Sequence, residues 1–244
     1  MVNILRTLDQ RNLLPEIMDD PDLPEAEHLA ALRGLAHINV LSGSSRILWS
    51  PLRQFLRSSG LNRIRLLDVA SGGGDVPLHL GRRLRRVGFA FEVTGTDISP
   101  RAVASARCRA AAEESVHFDT LDVLREELPG GFDVVTCSLF LHHLSNEQSR
   151  QLLMKMANAA GRLLLVSDLV RSATNVLLVG IAARLLSRSY VVHFDGPQSV
   201  RAAFTLAELR ELAAEVTSDG DEDGQRRFEG QDFLKYVRTC RDPD

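Results

Sequence analysis

Paired cysteines, an apolar run long enough for a membrane and a strongly basic balance are all missing from this chain of 244 residues. Each absence excludes something. The three cysteines, Cys108, Cys137 and Cys240, lie far apart. None belongs to a Cys-x-x-Cys pair or a Cys/His cluster at zinc spacing, so no metal site is read. Isolated thiols fit a reducing compartment. No basic region leads into a signal-length apolar core at the N-terminus, so export is not expected. No apolar run reaches the roughly 18 residues of a membrane span. The expected location is therefore the cytoplasm. Lys plus Arg number 29 against 32 for Asp plus Glu, a net charge of −3. A nucleic-acid partner usually demands a basic face, and none is expected here.

What is present is an ordinary globular composition, 44% hydrophobic and 25% charged. The length suits one large domain, or one domain with a small addition. Residues 1–60 read as a helical N-terminal cap. A turn-rich breaker at 19–24 precedes a helix over 30–38, and Ser42-Gly43-Ser44-Ser45 interrupts before a short helix over 46–56. Pro51 permits only a break or a new first turn in that helix. Residues 61–244 form the main domain. Strands are expected at 63–69, 89–96, 116–120, 132–136 and 162–167. Helices are expected at 76–87, from Ser99-Pro100 to 112, and from a capping box at Ser145 to about 160. An insert at 172–200 comprises an apolar helix over 174–186 and a polar loop over 187–197. A second capping box opens a helix at Thr205, and Phe233 to Val237 read as a terminal antiparallel strand.

Strands alternating with helices imply an α/β fold with a parallel-dominated sheet and helices on both faces. Ligands bind such sheets beyond the C-terminal strand ends. Asp68, Asp97, Asp122, Ser138 and Asp168 therefore share one rim. The first strand ends in Asp68, and Gly72-Gly73-Gly74 follow before a helix. That is a strand, a glycine turn and a helix N-terminus, where a ligand can approach bare backbone. Asp97 ends the second strand, where a carboxylate can accept from a ribose diol. Asp122 follows the third, within reach of an adenine amino group. A nicotinamide fingerprint needs Gly-x-Gly-x-x-Gly/Ala. Reading from Gly72 puts Pro77 at the third site, which argues against a dinucleotide.

Residues 66–75, 94–99, 121–123 and 132–143 resemble the Rossmann-like S-adenosylmethionine-dependent methyltransferases. The likeness covers about residues 60–170 and is nearest to the small-molecule branch of ubiquinone and menaquinone biosynthesis. The flanks resemble methyltransferases associated with type III polyketide synthases. The resemblance implies S-adenosylmethionine as cofactor. It implies that Asp68 orients the glycine turn and helps hold the cofactor's amino-acid end, with Ala70, Ser71, Gly72 and Gly74 beneath the methionine part. It places Asp97 on the ribose, Ile98 on the adenine face, Asp122 and Val123 at the adenine, and Cys137, Ser138 and Leu139 at the methionine end. Ala70 stands where the family usually has a glycine, a change that is tolerable at negative φ.

The expected activity is methyl transfer to a small, hydrophobic or phenolic acceptor, most simply at oxygen. Carbon methylation of a quinol-like ring, a non-catalytic cofactor-binding protein and a dehydrogenase are the alternatives. A phenol with a pKa of about 10 is mostly protonated at neutral pH, so a base is wanted. His143 follows the fourth strand. His193 lies in the insert two residues before Asp195, a pairing that orients an imidazole if the loop covers the site. The expected base is His143 or His193. The helix over 174–186 and the cap would roof an apolar acceptor, while its apolar side chains also suit a core. Arg46 and Trp49 are placed near cofactor or acceptor by position alone. Oligomeric state is left open.

Overall fold

The computed structural model describes residues 8–20, 22–42 and 44–218. The expected strand from Phe233 to Val237 lies outside them. Two helices, α1 (Glu25–Ser42) and α2 (Ser44–Ser58), lead into β1 (Arg63–Val69). Then come α3 (Asp75–Arg86), β2 (Ala90–Asp97), α4 (Pro100–Arg109), β3 (Val116–Thr120) and β4 (Phe132–Ser138). A short 3-10 turn, Leu141–His143, precedes α5 (Asn146–Ala159) and β5 (Ala160–Ser167). Three helices complete the described residues: α6 (Ala173–Leu186), α7 (Tyr190–Ala202) and α8 (Leu206–Ser218). None of the described helices is long and apolar enough to cross a membrane.

The sheet has the order β3-β2-β1-β4-β5, and every pairing is parallel. A central parallel strand must be apolar on both faces. In β1, Ile64 and Leu66 join one core layer, with Leu48, Leu52 and Leu84 of α2 and α3. Leu67 and Val69 join the other, with Leu152, Met156, Leu209 and Leu212 of α5 and α8. The same period-two split puts Val134 in the first layer and Val135 and Cys137 in the second. Each such buried aliphatic contributes about 1.5–3 kcal/mol. The sheet is thereby fixed from both sides, and its C-terminal rim is a rigid edge.

Local signals behave as expected at most helix starts. The Ser99 hydroxyl accepts from the Ala102 N–H, with Pro100 in the first turn. Ser145 and Gln148 form a reciprocal capping box, as do Thr205 and Glu208.

Two expectations about helices fail. Pro51 sits inside α2, and Pro197 sits inside α7. The segment 187–197, expected as a polar loop, is mostly helical. An interior proline costs a helix about 3 kcal/mol, and burial of the surrounding residues offsets it. Leu48, Trp49 and Leu52 flank Pro51, and Val191, Val192 and Val200 line α7; all are buried. Trp49 is thus a residue of the first core layer. The apolar helix α6 corrects a further expectation. Its Leu177, Ile181 and Leu185 are exposed rather than core-facing.

Candidate active site on the sheet rim

The register sets the first contact. Asp68 of β1 lies opposite Thr136 of β4, and the Thr136 hydroxyl donates to Asp68 Oδ1 at 2.5 Å. The second carboxylate oxygen, Oδ2, is buried without a partner. Burial pushes the Asp68 carboxyl up to about 7, against the pull of hydrogen bonds from Thr136 and Ser71 and with a further push from Asp97. The turn that follows folds back on the sheet. The Ser71 hydroxyl donates to the Asp68 carbonyl at 2.9 Å, and the Ser71 N–H to the Thr96 carbonyl at 2.8 Å.

Glycine is demanded at Gly74, where φ is +81° and a Cβ would stand 2.6 Å from the Phe118 ring. At Gly72, φ is +53° and a Cβ would meet nothing within 4 Å, so this backbone faces open space. Ala70 also has positive φ, +55°. The premise that its methyl group sits at negative φ is therefore wrong, and the turn carries strain there. Sequence reasoning missed Arg109 of α4. It donates to the Gly73 carbonyl at 2.8 Å and pairs with Asp75, bracing the turn from outside.

Asp97 closes the next part of the rim. Its Oδ2 accepts from the Gly72 N–H at 2.8 Å and its Oδ1 from the Ser99 N–H at 2.9 Å. Ile98 beside it is 62% exposed, an isolated apolar face in solvent. Ile98, Asp122, Val123 and the α5 residues Gln148, Gln151 and Lys155 line a cleft of about 470 Å³. Asp122 Oδ1 accepts from the Leu124 and Arg125 N–H groups, so it also shapes its own turn. Lys155, another residue not foreseen, ties that turn to α5 through the Leu124 and Glu126 carbonyls.

At the end of β4 the rim turns to histidine chemistry. Cys137 is buried in the second core layer, and burial pushes its thiol well up, which disfavours the thiolate a nucleophile needs. Ser138 ends the strand. Leu139 has φ +55°, with its N–H on the Ser167 carbonyl. The 3-10 turn then presents two imidazoles. His142 is buried, and Asp168 at the end of β5 grips it twice: Oδ1 lies 2.6 Å from His142 Nδ1, and Oδ2 accepts from its backbone N–H at 3.0 Å. Burial alone would raise the Asp168 carboxyl, but the His142 charge and hydrogen bonds hold it below the ordinary value. The His143 ring lies against that of His142, centroids 4.3 Å apart, and its side chain is 25% exposed. Glu16, from the segment before α1, brings Oε1 to 4.0 Å from both His142 Nε2 and His143 Nδ1. These donor atoms lie within 4.8 Å of one another, a grouping the sequence gave no sign of.

His193 stands apart from this. It is a helical residue of α7, and its Nε2 is 2.8 Å from the Ser187 carbonyl. Asp195 does not orient it: the Asp195 carboxylate accepts from the Ile17 and Met18 N–H groups. The His-Asp pairing exists, but between His142 and Asp168. Arg46 is exposed on α2. With burial and Arg83 ahead of it, its charge lowers the His79 imidazole of α3.

Comparison with known proteins finds methyltransferases among those similar to this chain. Residues 66–161 match a family model described as a methyltransferase domain. The chain is 30% identical over 156 residues to the ubiquinone biosynthesis O-methyltransferase of Xanthomonas campestris pv. campestris (strain B100), covering 60% of this chain and 62% of that protein. It is 36% identical over 83 residues to the non-reducing polyketide synthase prhL of Penicillium brasilianum, covering 32% of this chain and 3% of the synthase. The magnesium protoporphyrin IX methyltransferase of Synechocystis PCC 6803 with bound SAH superposes with a TM-score of 0.51 at 20% identity, covering 82% of this chain and 80% of that one.

Proposed function

We propose that the chain is an S-adenosylmethionine-dependent methyltransferase that transfers the cofactor's methyl group to a hydroxyl of a small, apolar or phenolic acceptor, a reading supported by the match of residues 66–161 to a methyltransferase-domain model. The observation that carries this is the rim itself. A buried carboxylate with one unpartnered oxygen, Asp68, lies beside a glycine turn that faces open space at Gly72 and is pinned by Asp97.

These residues fit the cofactor. Asp68 Oδ2 would take an ammonium hydrogen, which settles both its missing partner and its raised carboxyl. Ala70, Ser71, Gly72 and Gly74 would lie under the methionine part. Asp97 would hold the ribose diol, Ile98 the adenine face, and Asp122 with Val123 the adenine edge. Cys137, Ser138 and Leu139 would line the methionine end. When bound, the cofactor supplies an electrophilic methyl group on a sulfonium.

The chain's remaining task is to align the acceptor and take its proton. His143 is the exposed imidazole at the β4 end, and it is the proposed proton acceptor. His142, clamped by Asp168, backs its ring. His193 is left outside the reaction, because its ring is engaged with Ser187. A small acceptor rather than a nucleic acid is favoured by the net charge of −3. An apolar one is favoured by the exposed Leu177, Ile181 and Leu185 of α6 with Phe194 of α7. The likeness to the Xanthomonas ubiquinone biosynthesis O-methyltransferase supports oxygen as the methylated atom.

Calorimetric titration with S-adenosylmethionine and, separately, NADH tests the first half. Binding of the former alone, weakened in Asp97→Ala, supports the reading; preference for NADH overturns it. A screen of phenolic acceptors, read by S-adenosylhomocysteine release, tests the second half. Turnover confined to polar amines would overturn the hydroxyl assignment.

A further inference from the structure

The described N-terminal segment, residues 8–20, reaches the histidine turn and makes most of its hydrogen bonds to distant parts of the chain. Arg11 is its anchor. Its Nη2 donates to the carbonyls of Leu144 at 2.7 Å, Leu141 at 3.2 Å and His142 at 3.5 Å. Nη1 donates to Asn146 Oδ1 and Nε to the Ala202 carbonyl, each at 2.7 Å. The guanidinium lies 3.6 Å above the Phe204 ring. One side chain thus joins the histidine turn, the start of α5 and the end of α7.

A three-residue 3-10 turn holds itself weakly. Two backbone bonds close this one, His143 N–H to Phe140 and Leu144 N–H to Leu141. The carbonyls of residues 142 and 144, and the second lone pair of that of 141, would otherwise need water. A planar fork of donors suits this task, because the directions of its hydrogen bonds are fixed. The same segment carries Glu16 to the imidazoles, where the Ser199 hydroxyl holds its Oε1 at 2.5 Å.

We propose that Arg11 is a positioning residue. It grips the Leu141–Leu144 carbonyls so that the His142 and His143 rings face the methyl-donor end of the rim at a fixed angle. Its meaning for catalysis rests on the methyl-transfer reading; the positioning itself does not. Asp168 sets the His142 ring from one side, taking Nδ1 and the backbone N–H. Arg11 sets the backbone of the same turn from the other. Asp168 alone leaves the carbonyls of the turn unheld, and Arg11 alone leaves the ring unheld.

The test uses the full chain labelled with ¹⁵N-histidine, as wild type, Arg11→Gln and Arg11→Lys. Imidazole tautomers are read by long-range ¹H–¹⁵N spectra and assigned through His142→Gln and His143→Gln. S-adenosylmethionine affinity is measured in parallel by calorimetry. The expected result is that Arg11→Gln moves the His142 and His143 signals toward the averaged pattern of a free imidazole. Cofactor affinity stays, and Arg11→Lys recovers part of the wild-type pattern. A folded Arg11→Gln protein with wild-type imidazole signals overturns the proposal. If that variant does not fold by circular dichroism, Arg11→Lys decides by the same criterion: altered signals support positioning, unaltered signals refute it. Failure of the wild type to bind S-adenosylmethionine would sink the methyl-transfer reading and leave the imidazole result standing.

Discussion

Asp97 at the end of β2 accepts a hydrogen bond from the Gly72 N–H, 25 residues earlier in the chain, at 2.8 Å. The proposed ribose carboxylate is therefore also the latch of the glycine turn. Its removal should cost binding twice, through the lost ribose contact and through a loosened turn. Hydrogen bonds to a charged group are worth about 1.5–3 kcal/mol, so Asp97→Ala should weaken S-adenosylmethionine binding by roughly 10- to 100-fold. Isothermal calorimetry on both proteins reads this directly. Asp97→Asn, which keeps an acceptor for Gly72, should lose less.

Asp68 makes stability depend on pH. Its carboxyl titrates at about 7 in the folded chain and near 4 when unfolded. Between those values the folded state holds a proton that the unfolded state has lost. The stabilisation is complete below about pH 4 and lost as pH rises through 7, on the order of 4 kcal/mol in all. Denaturant unfolding without cofactor should show lower stability at pH 8 than at pH 5. Asp68→Asn should remove most of that difference. A wild-type protein more stable at pH 8 would contradict this account.

Ala70 is held at φ +55°, a region that costs a residue with a Cβ about 1 kcal/mol or more. Replacement by glycine relieves this but increases the freedom of the unfolded chain. The net expectation is that Ala70→Gly stabilises by about 0.5–1 kcal/mol, seen as a higher denaturation midpoint at unchanged slope. Gly74→Ala should do the reverse by a larger margin, because the added methyl would collide with Phe118 as well as strain the turn.

The three histidines separate by location. His143→Gln should cut turnover by about 10²- to 10⁴-fold with cofactor affinity intact. His193→Gln should leave turnover nearly unchanged, since its ring serves the Ser187 carbonyl. Asp168→Asn should impair turnover too, by freeing the His142 ring. Rates of S-adenosylhomocysteine release with a phenolic acceptor check all three. Equal losses in the His143 and His193 variants would show that α7 reaches the reaction after all.

Much of this architecture was legible because its determinants are local. Strands β1 and β3 have the expected bounds, and the caps at Ser99, Ser145 and Thr205 start helices where their hydroxyls predict. The rim carboxylates fall in order because strand ends fall in order. What was missed depends on distant partners. Pro51 and Pro197 break helices in isolation, but their neighbours are buried strongly enough to keep the helices whole. His193-x-Asp195 looked like a pair because the two are close in sequence; on a helix, residues two apart do not face each other. His142 and Asp168 are 26 residues apart and meet only because β4 and β5 are neighbours in the sheet. The contributions of Arg11 and Glu16 have no local signature at all.

The reach of Arg11 has a consequence for how the chain is made. Synthesis proceeds from the N-terminus, and Arg11 emerges long before its acceptors. The Leu144 carbonyl follows 133 residues later and that of Ala202 191 residues later. Contacts of such sequence separation form slowly and after local ones. The Rossmann-like sheet can assemble behind it strand by strand, and Asp168 can reach His142 once β5 is in place, but the hold of Arg11 stays incomplete until the Ala202 carbonyl at the end of α7 has been translated and folded. A nascent chain would complete its rim carboxylates first and its histidine turn last. Cofactor binding should therefore precede catalytic competence in the life of each molecule.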